Sequence, residues 1–136
     1  MTIKTERYKK GLKVFTTNLG PEAKKYAEGL EKIYPKFARV NMEFPFGDLY
    51  SDTKILDAHT RELITIGALT VLGYGLPQLE VHIKAALHCG ASREEILETI
   101  TQMLAYGGFP SATNALLTAD KVFKEIDNKP KKKKKS

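Results

Sequence analysis

The sequence predicts an all-α fold of about six helices in a single domain. Apolar residues recur at helical spacing along most of the chain, glycine and proline pairs separate these segments, and strict alternation of apolar and polar residues is scarce. A length of 136 residues suits one hydrophobic core. We therefore expect one domain over residues 1–127, with no internal repeat.

The first third of the chain is predicted to hold two helices and a further apolar segment. The first covers Arg7–Thr17 and ends before Gly20, and Pro21 suits the first turn of the second. Pro35 either kinks that second helix or begins a new one. An apolar stripe then continues to Pro45 through Phe37, Val40 and Phe44. Residues 47–56 are expected to form a loop or a single turn.

Four more helices are predicted from residue 57 onward. Asp57 is a candidate N-cap for a helix to about Leu72, and this helix is apolar nearly all round, which is typical of a buried central helix. The next begins near Pro77 and ends at Gly90 as a C-terminal cap. A capping box in the segment 92–95 begins another, which Gly107-Gly108 closes. Pro110 then begins the last helix, whose apolar stripe extends to Ile126.

The net charge of +6 comes from the C-terminal end of the chain. Lys129 and residues 131–135 supply six of the 22 basic residues, and the other 16 balance the 16 acidic ones. Such a lysine run repels itself, so residues 128–136 are expected to be a disordered tail. No aromatic residue lies between the lysines to stack on bases, so a nucleic-acid partner is disfavoured.

The composition also sets the expected location and cofactor content. No stretch reaches the roughly 20 apolar residues of a membrane span, and the N-terminus is charged without an apolar segment behind it, so a cytoplasmic protein is expected. The single cysteine, Cys89, excludes an intramolecular disulfide framework and a cysteine-rich metal site. We expect no metal and no organic cofactor.

Four side chains are candidates for chemistry, each with a structural alternative. His82 lies beside the core stripe of its helix, where it could titrate near neutrality or simply be satisfied by a backbone carbonyl. Arg61 and Glu62 precede the buried run, where they must be paired or contact a ligand, unless both lie on an exposed first turn. Tyr106, beside Gly107-Gly108, could serve a site or cap the core.

The segment from Leu56 to Phe123 resembles the carboxymuconolactone decarboxylase family, whose fold is that of alkyl hydroperoxidase D. The matching elements are TRELITIGAL, LEVHIKAALHCGAS, REEILETI and AYGGFPSA. The resemblance implies helical protomers that assemble into homo-oligomeric rings, commonly trimers or hexamers. The family places a histidine eight residues before a helix-ending glycine, as His82 stands before Gly90. A glutamate in the Glu62 helix feeds protons to the histidine in the redox branch.

That redox branch uses the motif Cys-x-x-Cys-x-x-x-His, in which one thiolate attacks and the second cysteine resolves. Here Gly75 and Gln78 occupy the two cysteine positions before His82. Cys89 has no resolving partner, and a position at a helix C-terminus disfavours its thiolate. The sequence thus argues against a peroxidase-like or thiol-dependent protein, which remains an alternative.

The decarboxylase branch lacks this cysteine pair and implies an enzyme without cofactors, acting on a small carboxylated lactone or a related enolisable acid. Such an enzyme needs a dry pocket, a cation for a retained carboxylate, donors for the developing oxyanion and an acid. Arg61, His82 and Tyr106 are expected to supply these groups, with Glu62 orienting His82. The segment 46–53 lacks the tryptophans of the decarboxylases, which implies an altered pocket. A non-catalytic oligomeric protein that binds a small anion is the other alternative.

Overall fold

A computed structural model describes residues 4–130 of the chain. These residues form seven α-helices and one π-helical segment and contain no strand, so the predicted all-α fold is confirmed. The elements in chain order are α1 (Glu6–Leu19), α2 (Glu22–Ile33), α3 (Pro35–Met42), the π-helical segment (Glu43–Tyr50), α4 (Ala58–Leu72), α5 (Leu76–His88), α6 (Arg93–Gln102) and α7 (Leu104–Asp127).

Several helix boundaries follow the capping signals of the sequence. Asp57 Oδ1 accepts a hydrogen bond of 2.8 Å from the Thr60 N–H and so begins α4. The predicted capping box is present at the start of α6, where Ser92 and Glu95 each accept from the other's backbone N–H. Gly73 has a φ of 78°, a left-handed conformation that ends α4 at little steric cost.

The expected loop over residues 47–56 is partly wrong, because the π-helical segment continues to Tyr50. Pro45 lies inside this segment. In an α-helix its ring would clash with the carbonyl four residues earlier, and the wider π turn relieves that clash while the chain stays helical. Only residues 51–57 form a non-helical connection.

The C-terminal helices also differ from the prediction in detail. The helix that begins after Ser92 ends at Gln102 rather than at Gly107-Gly108. Residues 104–127 form α7, which is interrupted at Gly108 by a non-helical φ of 82° and ψ of 174°. Pro110 follows this kink, where a missing N–H costs least. Residues 131–136 of the expected tail lie outside the described residues.

Two apolar clusters make up the core. The larger is built from α4, α5, α6 and α7, and the smaller from α1, α2, α3, the π-helical segment and one face of α5. Helix α5 therefore contacts both clusters. Helix α4 is not buried all round as expected, since Ile64 and Leu72 are each about half exposed. Its buried face carries Ile66 and Thr70 and, near its N-terminus, Glu62.

Candidate active site

Glu62 of α4 and His82 of α5 form a hydrogen-bonded pair between the two helices. Glu62 Oε2 lies 2.7 Å from His82 Nδ1. The Glu62 side chain is almost completely buried and the His82 side chain is 16% exposed. The structure thus brings together two of the four predicted site residues in the orienting arrangement that the sequence predicted.

The hydrogen bond within the pair determines which nitrogen of His82 and which oxygen of Glu62 stay outside the pair. A carboxylate only accepts hydrogen bonds, so Nδ1–H donates to Glu62 and Nε2 of His82 remains free to exchange a proton. Glu62 Oε1 is buried and has no hydrogen-bond partner within residues 4–130. A desolvated carboxylate with a single partner depends strongly on that partner, so Glu62 holds the imidazole in one tautomer and one orientation.

A cavity of about 230 Å³ adjoins His82. Its lining combines aromatic and apolar side chains with uncharged polar ones: Phe15, Tyr26, Asn41, Pro45, Phe46, Tyr50, Thr65, Gln78, Val81 and His82. The rings of Phe46 and Tyr50 lie nearly parallel to the imidazole, with centroids 6.5 and 6.2 Å from it. None of these lining residues is a lysine or an arginine. The cavity is therefore a largely apolar site with one imidazole in its wall.

Tyr50 and Thr65 form a short polar chain in this wall. Thr65 Oγ1 lies 2.9 Å from the Arg61 carbonyl oxygen and donates its proton there, so the Tyr50 hydroxyl must donate to Thr65. Burial, followed by the nearby Glu62 charge, raises the pKa of Tyr50. Tyr50 therefore stays protonated with its proton directed away from a ligand, and only its oxygen lone pairs are free.

Arg61 and Tyr106 do not line the cavity of the protomer. Arg61 Nη2 and Nε donate to the Asp52 carbonyl oxygen at 2.8 and 3.2 Å, which ties the 51–57 connection to α4. Tyr106 is 74% exposed, just before the kink of α7. Their predicted contacts with a substrate thus find no support in the geometry of one protomer, and they remain predictions.

Cys89 ends α5 and is absent from the cavity lining. Its Sγ donates a weak hydrogen bond to the Asn18 carbonyl oxygen at 3.7 Å. Burial, with a smaller effect of the Glu62 charge, raises the pKa of the thiol to about 11. A thiol of this kind is poorly nucleophilic at neutral pH.

Sequence reasoning missed Asn41, Phe46 and Tyr50 as lining residues. Tyr50 lies in the segment 47–56, which was expected to form a loop or a single turn, so the face that it shares with Phe46, four residues earlier, was not apparent. The only signal was the departure of segment 46–53 from the family pattern, which pointed to a pocket with altered walls. Gln78, at a position of the missing cysteine pair, also lines the cavity.

A larger depression on the same protomer is a weaker candidate. It measures about 350 Å³ and is lined by Glu22, Lys84 and Lys129 among others. These charges already pair with one another, since Glu22 lies 3.3 Å from Lys84 and 3.5 Å from Lys129. The His82 cavity is the better candidate because it joins a buried titratable pair to an apolar wall.

Residues 4–130 hold no cluster of metal ligands, because no three His, Cys, Asp or Glu side chains are grouped there as a metal ion would require. None of the helices described for this range has the length and apolarity needed to cross a bilayer.

Comparison with known proteins places this site in a family. The chain is 33% identical over 128 residues to the 4-carboxymuconolactone decarboxylase of Acinetobacter baylyi, which covers 93% of this chain and 94% of that protein. It is 42% identical over 99 residues to an uncharacterised 15.0 kDa protein of Paracoccus denitrificans from the nqo9–nqo10 intergenic region, covering 72% and 73% of the two chains. A model of the carboxymuconolactone decarboxylase family matches residues 35–121, which include α3 to α6 and most of α7. The chain belongs to the carboxymuconolactone decarboxylase family.

Proposed function

We propose that this protein is a cofactor-independent decarboxylase of a small carboxylated lactone or a related enolisable acid. The observation that carries the proposal is the buried Glu62–His82 pair in the wall of an apolar cavity. A family relative named 4-carboxymuconolactone decarboxylase supports the reaction class. His82 is the general acid in this proposal and Glu62 is a positioning residue.

The proposed reaction begins with the substrate carboxylate in the apolar cavity. The bond between the ring carbon and the carboxylate carbon breaks, carbon dioxide leaves, and the electron pair delocalises onto the lactone carbonyl. His82 Nε2–H then delivers its proton to the ring carbon, and water returns a proton to the imidazole. Loss of the carboxylate charge as neutral carbon dioxide is favoured because no lining lysine or arginine stabilises the carboxylate.

The buried Glu62 charge stabilises the protonated imidazole before proton transfer. Because Oε2 holds Nδ1–H, a proton can leave His82 only from Nε2, on the side that remains free. The proposal keeps two further roles. Arg61 is the cation for a carboxylate that the product retains, and Tyr106 is a further hydrogen-bond donor. Neither lines the cavity of one protomer, so both roles require a rearrangement or a neighbouring subunit.

Two alternatives are less consistent with this site. A peroxidase-like or thiol-dependent protein is disfavoured because Cys89 is the chain's single cysteine, has a raised pKa and does not line the cavity. A non-catalytic protein that binds a small anion is disfavoured because the described lining holds no lysine or arginine to keep the anion, and a carboxylate is buried behind His82. A decarboxylase substrate is also an anion, but it loses its carboxylate charge during the reaction.

The test is release of carbon dioxide from 4-carboxymuconolactone by the full-length protein. We expect turnover by the wild type and a loss of roughly a hundredfold or more in His82→Ala, the usual scale for a general acid. Glu62→Gln should keep the fold and lower turnover, because a neutral amide stabilises an imidazolium poorly. His82→Gln, which donates but cannot titrate, should be as inactive as His82→Ala if proton transfer is the role.

His59→Ala is the matched control for this series. His59 also pairs with a glutamate, since its Nε2 lies 2.6 Å from Glu95 Oε2, but it does not line the cavity. This variant should retain wild-type turnover. Absence of turnover by the wild type, or a folded His82→Ala variant with unchanged turnover, would show that the proposed function is wrong.

A further inference from the structure

We infer that Asn41 is a further catalytic residue of the His82 cavity, whose side-chain amide donates a hydrogen bond to the substrate carbonyl oxygen that becomes negative during the reaction. This inference rests on the proposed function. It assigns the donor for the developing oxyanion to a residue of α3, whereas the proton donor belongs to α5.

The amide of Asn41 is unpaired in a site where pairing is expected. Oδ1 of Asn41 is buried and has no hydrogen-bond partner among the described residues. The residue lines the same cavity as His82. Nδ2 of Asn41 is not among the buried unpaired atoms. The Oδ1 end of the amide is thus sealed inside the protein, and in this inference the Nδ2 end is the one that donates into the cavity.

Folding does not explain an asparagine at this position. A buried polar atom without a partner costs about 1–3 kcal/mol, and asparagine is a poor helix former relative to leucine. Asn41 lies within α3, near its C-terminal end, so an apolar residue of similar size would serve the helix better. A residue that opposes folding and faces a cavity is expected to serve a ligand.

The other polar groups of the cavity wall are less suited to this role. The hydroxyl protons of Tyr50 and Thr65 are both committed, to Thr65 and to the Arg61 carbonyl. His82 uses its free nitrogen for the proton that goes to carbon. Gln78 lies at an exposed position on the first turn of α5.

The remaining cavity-lining hydroxyl belongs to Tyr26, on α2. A neutral amide donor has the strength expected of an oxyanion-binding group, and it stabilises the new charge without transferring a proton. A neutral amide also adds no positive charge that would stabilise the reacting carboxylate. Asn41 is thus suited to stabilise the oxyanion that forms when the bond breaks, rather than to bind the substrate carboxylate.

The test compares two substitutions with turnover and stability as separate readouts. Asn41→Leu removes the donor at similar size, and we expect kcat for 4-carboxymuconolactone to fall by roughly a hundredfold to a thousandfold. The melting temperature should be unchanged or higher, because a buried unpaired acceptor has been removed. Asn41→Asp keeps the shape but places a negative acceptor beside the oxyanion, so it should be at least as inactive.

Asn18→Leu is the matched control. Asn18 of α1 also has a buried, unpaired amide atom, Nδ2, but it does not line the cavity. We expect this variant to match Asn41→Leu in stability and the wild type in kcat. If Asn18→Leu loses kcat as Asn41→Leu does, the effect is not specific to the cavity and the inference fails.

Three results for Asn41 would overturn the inference. One is an unchanged kcat in Asn41→Leu, and another is a rise in KM alone, which would indicate ground-state binding only. The third is a fall in unfolding free energy of more than about 2 kcal/mol, which would make the residue structural. If the wild type itself releases no carbon dioxide, the proposed function fails, and the stability of Asn41→Leu then tests the role of Asn41. A less stable Asn41→Leu variant overturns the inference. A variant as stable as the wild type, or more stable, supports Asn41 as a residue that binds the carbonyl group of another ligand.

Discussion

The Glu62–His82 pair links the reactivity of a mostly buried imidazole to the burial of a carboxylate. Removing Glu62 from water is costly, and the 2.7 Å contact with Nδ1 is its one hydrogen bond among the described residues. The same contact leaves Nε2 as the only nitrogen able to exchange a proton. Pairing is therefore needed both for the stability of α4 against α5 and for a defined tautomer.

The reactivity of Cys89 gives a direct test of the thiol-dependent alternative. Because burial raises its pKa to about 11 from the ordinary 9.0, the thiolate is fully formed only above pH 11. At pH 8 the thiolate fraction should be about a hundredfold lower than in an ordinary cysteine, and alkylation by iodoacetamide should be slow and should accelerate up to that pH. Mass spectrometry of the native protein at several pH values measures this rate.

Cys89→Ser should then retain wild-type decarboxylation. The hydroxyl can still donate to the Asn18 carbonyl oxygen, so stability should change little. Loss of turnover in a folded Cys89→Ser variant, together with rapid alkylation of the wild type at pH 7, would return the thiol mechanism to first place.

The sequence identified the pair but not the surroundings of the pair. His82 was recognisable from its position beside the apolar stripe of α5 and from its interval to Gly90. Glu62 was recognisable as a charged residue directly before a run of apolar residues that was predicted to be buried. Asn41 and Tyr50 were not recognisable, because their approach to His82 depends on how α3 and the π-helical segment fold back. Arg61 was expected at the site, yet a backbone carbonyl in the 51–57 connection holds its guanidinium elsewhere, a contact with no sequence signal.

Helix α1 approaches the junction of α3 with the π-helical segment closely at Gly11. A Cβ placed on Gly11 would lie 2.0 Å from the Met42 carbonyl oxygen and 3.1 Å from the Gly47 N. Only a glycine permits this distance. The approach matters for the site because the π-helical segment carries Phe46 and Tyr50 into the cavity wall.

Gly11→Ala should therefore destabilise the protein although alanine favours a helix. Its methyl group meets a backbone carbonyl, which cannot turn aside as a side chain can, so we expect a loss of about 1–3 kcal/mol in unfolding free energy or more. Gly29→Ala is the matched control, since Gly29 lies within α2 and has no atom within 4 Å of its Cβ position. It should stabilise by up to about 1 kcal/mol. Urea unfolding measures both values, and equal effects would contradict the close approach.

The capping signals predicted most helix ends, because a cap is a contact between residues close in sequence. The start of α4 at Asp57 and the capping box of Ser92 and Glu95 are examples. The π-helical segment was missed for the opposite reason. Pro45 reads locally as a helix breaker, and only packing against α1 and α3 makes a widened helical turn preferable to a loop.

The surface of the whole protomer carries apolar side chains that the two core clusters leave uncovered. One group lies at the end of α2, on α3 and at the start of the π-helical segment, and its members are between 48% and 82% exposed: Ile33, Tyr34, Phe37, Val40 and Phe44. A second group on α7 includes Tyr106 and Phe109, on either side of the Gly108 kink, at 74% and 73% exposure. Contiguous apolar groups of this size are unusual on a monomer.

We therefore expect the protein to be a homo-oligomer. The family resemblance implies a trimer or a hexamer, so the expected mass by light scattering is three or six times 15.2 kDa. The α3 stripe, which the sequence marked as apolar, would lie in a contact between subunits. Val40→Glu places a charge in the middle of that stripe and should lower the assembly state without unfolding the protomer. Ile55→Glu is the control, because Ile55 is 92% exposed in the 51–57 connection, which contributes to neither group.

Assembly also bears on the site, because Arg61 and Tyr106 do not line the cavity of one protomer. If a neighbouring subunit completes the site, Val40→Glu should lower turnover together with assembly, and turnover of the wild type should fall on dilution below the dissociation constant. A stable protomer of about 15 kDa at micromolar concentration, active and unaffected by Val40→Glu, would contradict the oligomer and leave His82, Glu62 and Asn41 as a site complete within one chain.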